Sequence, residues 1–198
     1  MVRSSLLRSL APFPIPLYYL RMNWLIKFFR APRQIGSVAP SSNSLGRLMA
    51  RDINPDSRVL ELGSGSGALT SHIIPKLIDH AQLTCIELDE ELAQICQNKF
   101  PGIRIITEDI RSVLEQENSY DFIVSGIPFA AMDPIRRKQI FKLIKQRLKP
   151  NGKFIMFQYS IYTRQELIEI FGNIKTNFTP FNIPPAFVFT CEKILPNT

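Results

Sequence analysis

The sequence predicts an α/β fold with a mainly parallel sheet, and three observations carry the prediction. Short β-rich runs alternate with helix-length segments from about residue 58 onward, a glycine loop joins the first run to the first helix, and two further β-rich runs close the chain with only a short loop between them. Alternation of this kind builds βαβ units. The closing pair must be antiparallel, because a parallel return needs a crossover.

Strands are expected at 58–62, 83–87, 103–107, 121–125 and 153–158, with the closing pair at 174–178 and 187–192. Helices are expected at 68–78, 90–99, 134–148 and 164–171. The third ends at Lys149-Pro150-Asn151-Gly152, where Pro cannot continue a helix and Gly tolerates the turn. In that helix Ile140, Phe141, Ile144 and Leu148 supply the buried stripe. The eight Lys and Arg of residues 136–153, a stretch without acids, are then placed on the outer face, as a solvated helix surface that can also add to membrane attraction.

A chain of 198 residues with 45% hydrophobic and 21% charged side chains has an ordinary globular composition, which excludes a disordered or fibrous protein. Three cysteines, Cys85, Cys96 and Cys191, are an odd number without C-x-x-C spacing and read as reduced thiols. The two histidines, His72 and His80, are read as solvent-facing residues of the helix after the glycine loop; no metal site is expected.

The formal charge of +7 is unevenly placed. Residues 1–51 hold eight bases and no acid, while residues 52–198 hold sixteen bases and seventeen acids. A basic head on a near-neutral body suits a polyanion, either nucleic acid or an anionic membrane. The uncharged stretch 9–20 contains Pro12, Pro14 and Pro16 and is too short to span a bilayer, which takes about twenty apolar residues. It lacks a convincing small-residue cleavage site, so the N-terminus is expected to be retained. Residues 17–30, L-Y-Y-L-R-M-N-W-L-I-K-F-F-R, put Asn23, Lys27 and Arg30 on one polar stripe of an otherwise apolar, aromatic helix. A core helix would use such a face, but Trp24 and the flanking bases favour an interfacial helix on anionic lipid. The division expected is a basic, aromatic-rich membrane-binding segment at 1–35 and a catalytic domain at 36–198.

The chemistry centres on Glu61-Leu62-Gly63-Ser64-Gly65-Ser66-Gly67, after the strand R-V-L-E-L and before a helix. Glycines let the backbone turn tightly and approach a nucleotide-like ligand, while the helix offers free N–H groups. Gly63-x-Gly65-x-x-Ala68 also meets a relaxed dinucleotide fingerprint, so NAD stays in view. Glu87 ends the second strand, where a carboxylate accepts from both ribose hydroxyls of NAD or of S-adenosylmethionine alike. Glu61 lies within the strand, where a buried carboxylate needs N–H donors or a cationic ligand; S-adenosylmethionine brings a sulfonium and an ammonium. Asp109 of Thr107-Glu108-Asp109-Ile110 suits the exocyclic amine of adenine, and alternatively caps the short helix that follows. The fourth strand runs into Ser125-Gly126-Ile127-Pro128-Phe129, beside the transferable methyl group. Ser-Gly stands there in place of the Asn that adenine-methylating enzymes carry. A conjugated amine needs that acceptor, whereas an aliphatic amine needs only to lose its proton. Phe129 also reads as a core residue.

These residues resemble the small soluble bacterial phosphatidylethanolamine N-methyltransferases, over nearly the whole chain. The resemblance rests on 36–42 (G-S-V-A-P-S-S), Glu61 to Gly67, 125–129, Phe157-Gln158-Tyr159 and 182–188 (N-I-P-P-A-F-V). The Pro-rich head, residues 1–16, has no place in that pattern. The resemblance implies a Rossmann-like class I methyltransferase fold, a seven-stranded mostly parallel sheet with an antiparallel last strand, and an N-terminal amphipathic helix that anchors the protein. It implies S-adenosylmethionine as cofactor and S-adenosylhomocysteine as product, held by Ser41, Glu61, Gly63, Gly65, Gly67, Glu87, Leu88, Asp109, Ile110 and Ser125. The acceptor side falls to Ser125, Gly126, Phe129 and Tyr159, the two aromatics holding a methylated ammonium by cation–π contact. Arg21, Arg33 and Arg164 are candidates for the lipid phosphate.

The activity implied is stepwise methylation of phosphatidylethanolamine towards phosphatidylcholine by a monomeric cytoplasmic protein on the inner face of the membrane, meeting anionic lipid through residues 17–30. Three alternatives remain: another amine lipid such as an ornithine lipid, an RNA adenine, which predicts an Asn-type loop, and a membrane module that keeps its cofactor without turnover.

Overall fold

The computed structural model of the protein describes residues 40–194, apart from 181 and 183, with the backbone alone at 40–42. The amphipathic segment 17–30 and the boundary near residue 35 lie outside the described residues.

Seven strands form one sheet in the order β3-β2-β1-β4-β5-β7-β6. They are β1 (Val59–Leu62), β2 (Leu83–Ile86), β3 (Arg104–Ile106), β4 (Tyr120–Ser125), β5 (Leu148–Gln158), β6 (Ile174–Thr179) and β7 (Ala186–Glu192). Strands β1 to β5 pair in parallel, and β7 runs antiparallel to both β5 and β6. This is the sheet of the Rossmann-like class I methyltransferase fold, as expected. The strand order reverses between β1 and β4, and at such a switch point a crevice opens at the carboxyl ends of the strands.

Side chains alternate across the sheet and build a core on each face. On one face Leu60, Leu62, Ile123, Phe154 and Met156 pack against α4 (Ile110–Glu115), α5 (Pro134–Arg147) and α6 (Arg164–Phe171). On the other, Val59, Cys85, Val124, Ile155 and Phe157 pack with residues of α1 (Pro40–Met49), α2 (Thr70–Ile73) and α3 (Glu90–Lys99). The stripe Ile140, Phe141, Ile144 and Leu148 is buried as its spacing requires.

Some elements differ from the sequence expectation. The helix expected at 68–78 is only the single turn α2, followed by a 3₁₀ turn at Ile74–Lys76. Pro75, which lacks an N–H and clashes with the preceding turn, stops it. His72 is half-buried in α2, where a Cβ on Gly46 of α1 would overlap its ring, and His80 is exposed in a separate 3₁₀ turn. Strand β5 starts at Leu148 rather than at 153. The positive φ in its bend belongs to Asn151, at 60°; Gly152 is needed for space, because an added Cβ would meet the Lys149 carbonyl at 2.9 Å. The basic outer face of α5 is interrupted by Arg137, which is buried. Helix α1 is an addition to the expected helices; Pro40 at its first position, within the motif 36–42, is the signal that marks its start.

Candidate functional site

The site is built at the carboxyl ends of β1, β2, β4 and β5. After β1 the chain turns through Gly63, Gly65 and Gly67 with φ of 72°, 54° and 89°, a region that side chains with a Cβ avoid. The three glycines serve different ends. A Cβ on Gly67 would strike the Phe100 ring at 2.5 Å, and one on Gly63 would strike Ile127 at 2.8 Å. Above Gly65 nothing lies within 4 Å, so this turn faces open space.

Glu87, one residue past β2, reaches back to that turn. One carboxylate oxygen accepts from the Gly65 N–H at 2.8 Å and the other from the Asp89 N–H at 3.0 Å. The carboxylate is only partly buried, so it retains acceptor capacity towards the crevice. Leu88 beside it is an exposed apolar side chain at the crevice edge. Glu87, Leu88 and the glycine turn are thus brought together.

Glu61 sits beneath the turn. It is fully buried and faces the α2 and α3 side, accepting from the Thr70 hydroxyl at 2.7 Å and from the Cys85 thiol at 3.5 Å. Its other oxygen has no partner. Burial pushes its pKa up to about 7, against the pull of Thr70 and Cys85, with a further upward push from the Glu87 charge. Through Thr70, the first residue of α2, Glu61 fixes where that helix starts.

Asp109 caps α4 by accepting from the Arg111 N–H at 2.9 Å, and its second oxygen is ion-paired with Arg136. The capping alternative is therefore present in the structure, and an adenine amine would compete with Arg136 for that oxygen. Ile110 is half-buried, packed against the core. Ser41 lies in the first turn of α1.

The acceptor side departs further from expectation. Ser125 is fully buried: its hydroxyl donates to the Leu62 carbonyl at 3.2 Å and accepts from the Ile127 N–H at 3.1 Å. It ties the end of β4 to that of β1, which makes it a positioning residue rather than one that meets an acceptor. Phe129 is also fully buried, with its ring 4.9 Å from Phe141 and 6.2 Å from Phe154. A ring enclosed in the core cannot hold an ammonium, so the core reading prevails. Gly126 keeps only the Phe157 ring edge near its would-be Cβ, at 3.4 Å. Tyr159 is half-buried, edge-on to Phe157 at 5.6 Å, and hydrogen-bonded to Asn182. Burial pushes its pKa up to about 12, so the phenol stays neutral at physiological pH.

Three residues of the site carry no role in the sequence reading. Buried Gln158 accepts from the Ala130 N–H at 3.2 Å and donates to the Ile127 carbonyl at 2.8 Å, clamping the loop after β4. Its oxygen is engaged by the Ala130 N–H and its N–H₂ also donates to the Phe157 carbonyl, so this buried amide does not replace the missing Asn acceptor of the adenine-type loop. Buried Asn182 donates to the Pro184 carbonyl at 2.6 Å while meeting Tyr159. Arg137 forms a buried ion pair with Glu166 at 2.7 Å and donates to the Phe129 and Met132 carbonyls. The segments holding Gln158 and Asn182 carry part of the family resemblance, which was the available signal for both; Arg137 hides within a run of bases.

Among the described residues no group of His, Cys, Asp and Glu is placed to hold a metal ion. No helix there is long and apolar enough to cross a membrane. The open cradle at Gly65, the carboxylate of Glu87 and the unpartnered buried oxygen of Glu61 fit a ligand with ribose hydroxyls and positive charge.

Comparison with known proteins points to the same fold. Residues 59–152 match the methyltransferase domain family. An ornithine lipid N-methyltransferase of Singulisphaera acidiphila is 29% identical over 182 residues, covering 86% of this chain and 95% of that protein. A ribosomal RNA small subunit methyltransferase A of Malacoplasma penetrans is 34% identical, but the alignment covers 60% of this chain and only 43% of that protein. Among solved structures, the 1,6-didemethyltoxoflavin-N1-methyltransferase of Burkholderia thailandensis superposes with a TM-score of 0.68 over 93% of both chains, at 16% identity. Residues 59–152 are thus similar to a methyltransferase domain, and the chain carries the fold of the class I methyltransferases.

Proposed function

We propose that the protein transfers methyl groups from S-adenosylmethionine to the aliphatic amine of a membrane lipid headgroup, with ornithine lipid the first acceptor to test and phosphatidylethanolamine the second. The observation that carries this reading is the extent of the likeness. The ornithine lipid enzyme aligns over 95% of its length, whereas the ribosomal RNA enzyme aligns over 43% of its own, a span that leaves out more than half of that protein. Phosphatidylethanolamine, the acceptor to which the sequence resemblance points, has the same primary amine but adds a phosphate.

S-adenosylmethionine supplies a methyl group on a sulfonium, open to in-line displacement by a neutral amine. Glu87 accepts from the ribose hydroxyls, Leu88 covers the adenine, and the glycine turn lets the backbone come close. Glu61 places the turn from below, and a cationic ligand above it would favour its ionised form. Ser125 and Gln158 hold the loop 126–130 in one conformation, so that Gly126 leaves room for the amine. Such placement supplies much of the acceleration in a displacement that needs no covalent enzyme intermediate. Tyr159 serves as a neutral donor and aromatic surface, not as a base, since its phenol remains protonated near neutrality. The basic segment 1–35, with the amphipathic sequence pattern of 17–30, is the proposed peripheral anchor to anionic lipid on the cytoplasmic face.

Labelled S-adenosylmethionine offered with ornithine lipid, phosphatidylethanolamine or a ribosomal RNA fragment tests this directly. Label in either lipid and none in RNA is expected, and preference for ornithine lipid would mean that no phosphate contact is required. Label in RNA alone would overturn the reading.

A further inference from the structure

Exposed large apolar side chains are not scattered evenly over this domain. Among the described residues seven are exposed, and four of them gather on one part of one edge: Ile135 at 72%, Ile161 at 57%, Tyr162 at 64% and Phe178 at 54%. Ile135 is the second residue of α5 after β4, Ile161 and Tyr162 form the tip after β5, and Phe178 is the penultimate residue of β6. Strands β4, β5 and β6 all run in one direction, so these residues share the carboxyl edge that carries the loop 125–130 and Tyr159.

The apolar tip is rigidly founded. The Arg137 guanidinium lies 5.3 Å from the Tyr162 ring centroid while bonded to Glu166 and to the Phe129 and Met132 carbonyls. One buried cation thus ties the tip after β5 to the loop after β4 and to α6. The Arg164 N–H donates to the Ile161 carbonyl at 2.9 Å, which sets the exposed Arg164 side chain at the base of the tip. Exposed aliphatic and aromatic groups above a cation match a bilayer interface, where apolar groups sink below the headgroups and the cation meets anionic lipid. In water the same groups gain nothing by exposure.

We infer that this edge, with Ile135, Ile161, Tyr162 and Phe178, is a second membrane contact, by which the catalytic domain itself seats on an anionic bilayer with its acceptor loop facing the lipid. The inference rests on the lipid reading above, and it adds that the site is presented by the domain and not only tethered through residues 17–30. An amine in a headgroup stays at the interface, so the edge that holds the loop must come to it.

The test compares the full chain with the double variant Ile135→Ser and Ile161→Ser, neither of which lies in the site. Vesicles of ornithine lipid, phosphatidylethanolamine and phosphatidylglycerol are the probe, read by co-sedimentation without cofactor and by methyl transfer. The same lipids dispersed in detergent serve as control, with Tm as the check on folding. About a tenfold loss of vesicle partition is expected, on the scale of removing two partly buried aliphatic side chains from lipid. Transfer to vesicle lipid should fall alongside, while transfer in detergent and Tm stay within error. Unchanged partition would overturn the proposal, as when the edge is covered by the chain's own N-terminal residues or by a second copy. Equal losses in vesicles and detergent would overturn it too. If the unaltered protein labels no lipid in either form, the lipid reading fails, while co-sedimentation still decides whether this edge binds a bilayer.

Discussion

Gly65 and Gly67 both sit at positive φ in the loop after β1, yet their surroundings assign them different work. Gly67→Ala would push a methyl into Phe100 in addition to the left-handed backbone cost, so a loss of about 2–4 kcal/mol in stability is expected from denaturant unfolding. Gly65→Ala meets no protein atom and should cost only about 1 kcal/mol, but it fills the open cradle, so S-adenosylmethionine affinity by calorimetry should fall at least tenfold. Glu61 gives a pH signature. Its folded pKa of about 7 lies above its ordinary value of 4.5, so the folded state binds the proton more tightly than the unfolded one. Its contribution is fully present below about pH 4.5 and is lost as pH rises through 7. Thermal unfolding of the free protein should therefore show a decline of up to about 3 kcal/mol across that window, which Glu61→Gln removes.

At the scale of elements, the loop after β4 is held by groups donated from elsewhere. Gln158 from β5, Ser125 at the end of β4 and Arg137 in α5 each bond to it or to its flanks. Gln158→Ala would leave the Ala130 N–H and the Ile127 carbonyl without this partner, and should lower kcat more than it weakens cofactor binding, because the loop belongs to the acceptor side. Glu166→Ala strands the buried Arg137 charge and should cost about 3–5 kcal/mol, read by Tm, whereas breaking the exposed pair Arg111–Glu115 should cost under about 1 kcal/mol. The strands were legible in the sequence because β-rich runs ended in punctuation, and α5 because its apolar stripe repeats at helical spacing. The buried pair was not, since Arg137 and Glu166 are 29 residues apart and a run of bases looks solvated. Phe129 was ambiguous for a related reason: its position after β4 indicates function, while its burial depends on α5 and β5 supplying Phe141 and Phe154.

Across the described residues the fold places the glycine turn with Glu87, the proposed cofactor cradle, and an apolar rim on the same edge of a seven-stranded sheet. The meeting of the glycine turn with Glu87 was the more legible part, because a glycine loop and a carboxylate one strand later obey local rules. The acceptor half depends on buried hydrogen bonds between distant segments, and it is there that Ser125 and Phe129 prove to be positioning and core residues. An electrostatic anchor predicts a further property: neutralising Lys27 and Arg30 should lower transfer to anionic vesicles several-fold more than transfer to detergent-dispersed lipid, and added salt should reduce that difference. The central claim, a lipid amine as acceptor, is tested most directly by expressing the chain in a bacterium that makes both ornithine lipid and phosphatidylethanolamine, then weighing its total lipids by mass spectrometry. Ornithine lipid or phosphatidylethanolamine heavier by one to three methyl groups, absent with Gly65→Ala, is the predicted result. A lipid profile identical to that of the empty host, from cells that contain folded protein able to bind S-adenosylmethionine, would contradict it.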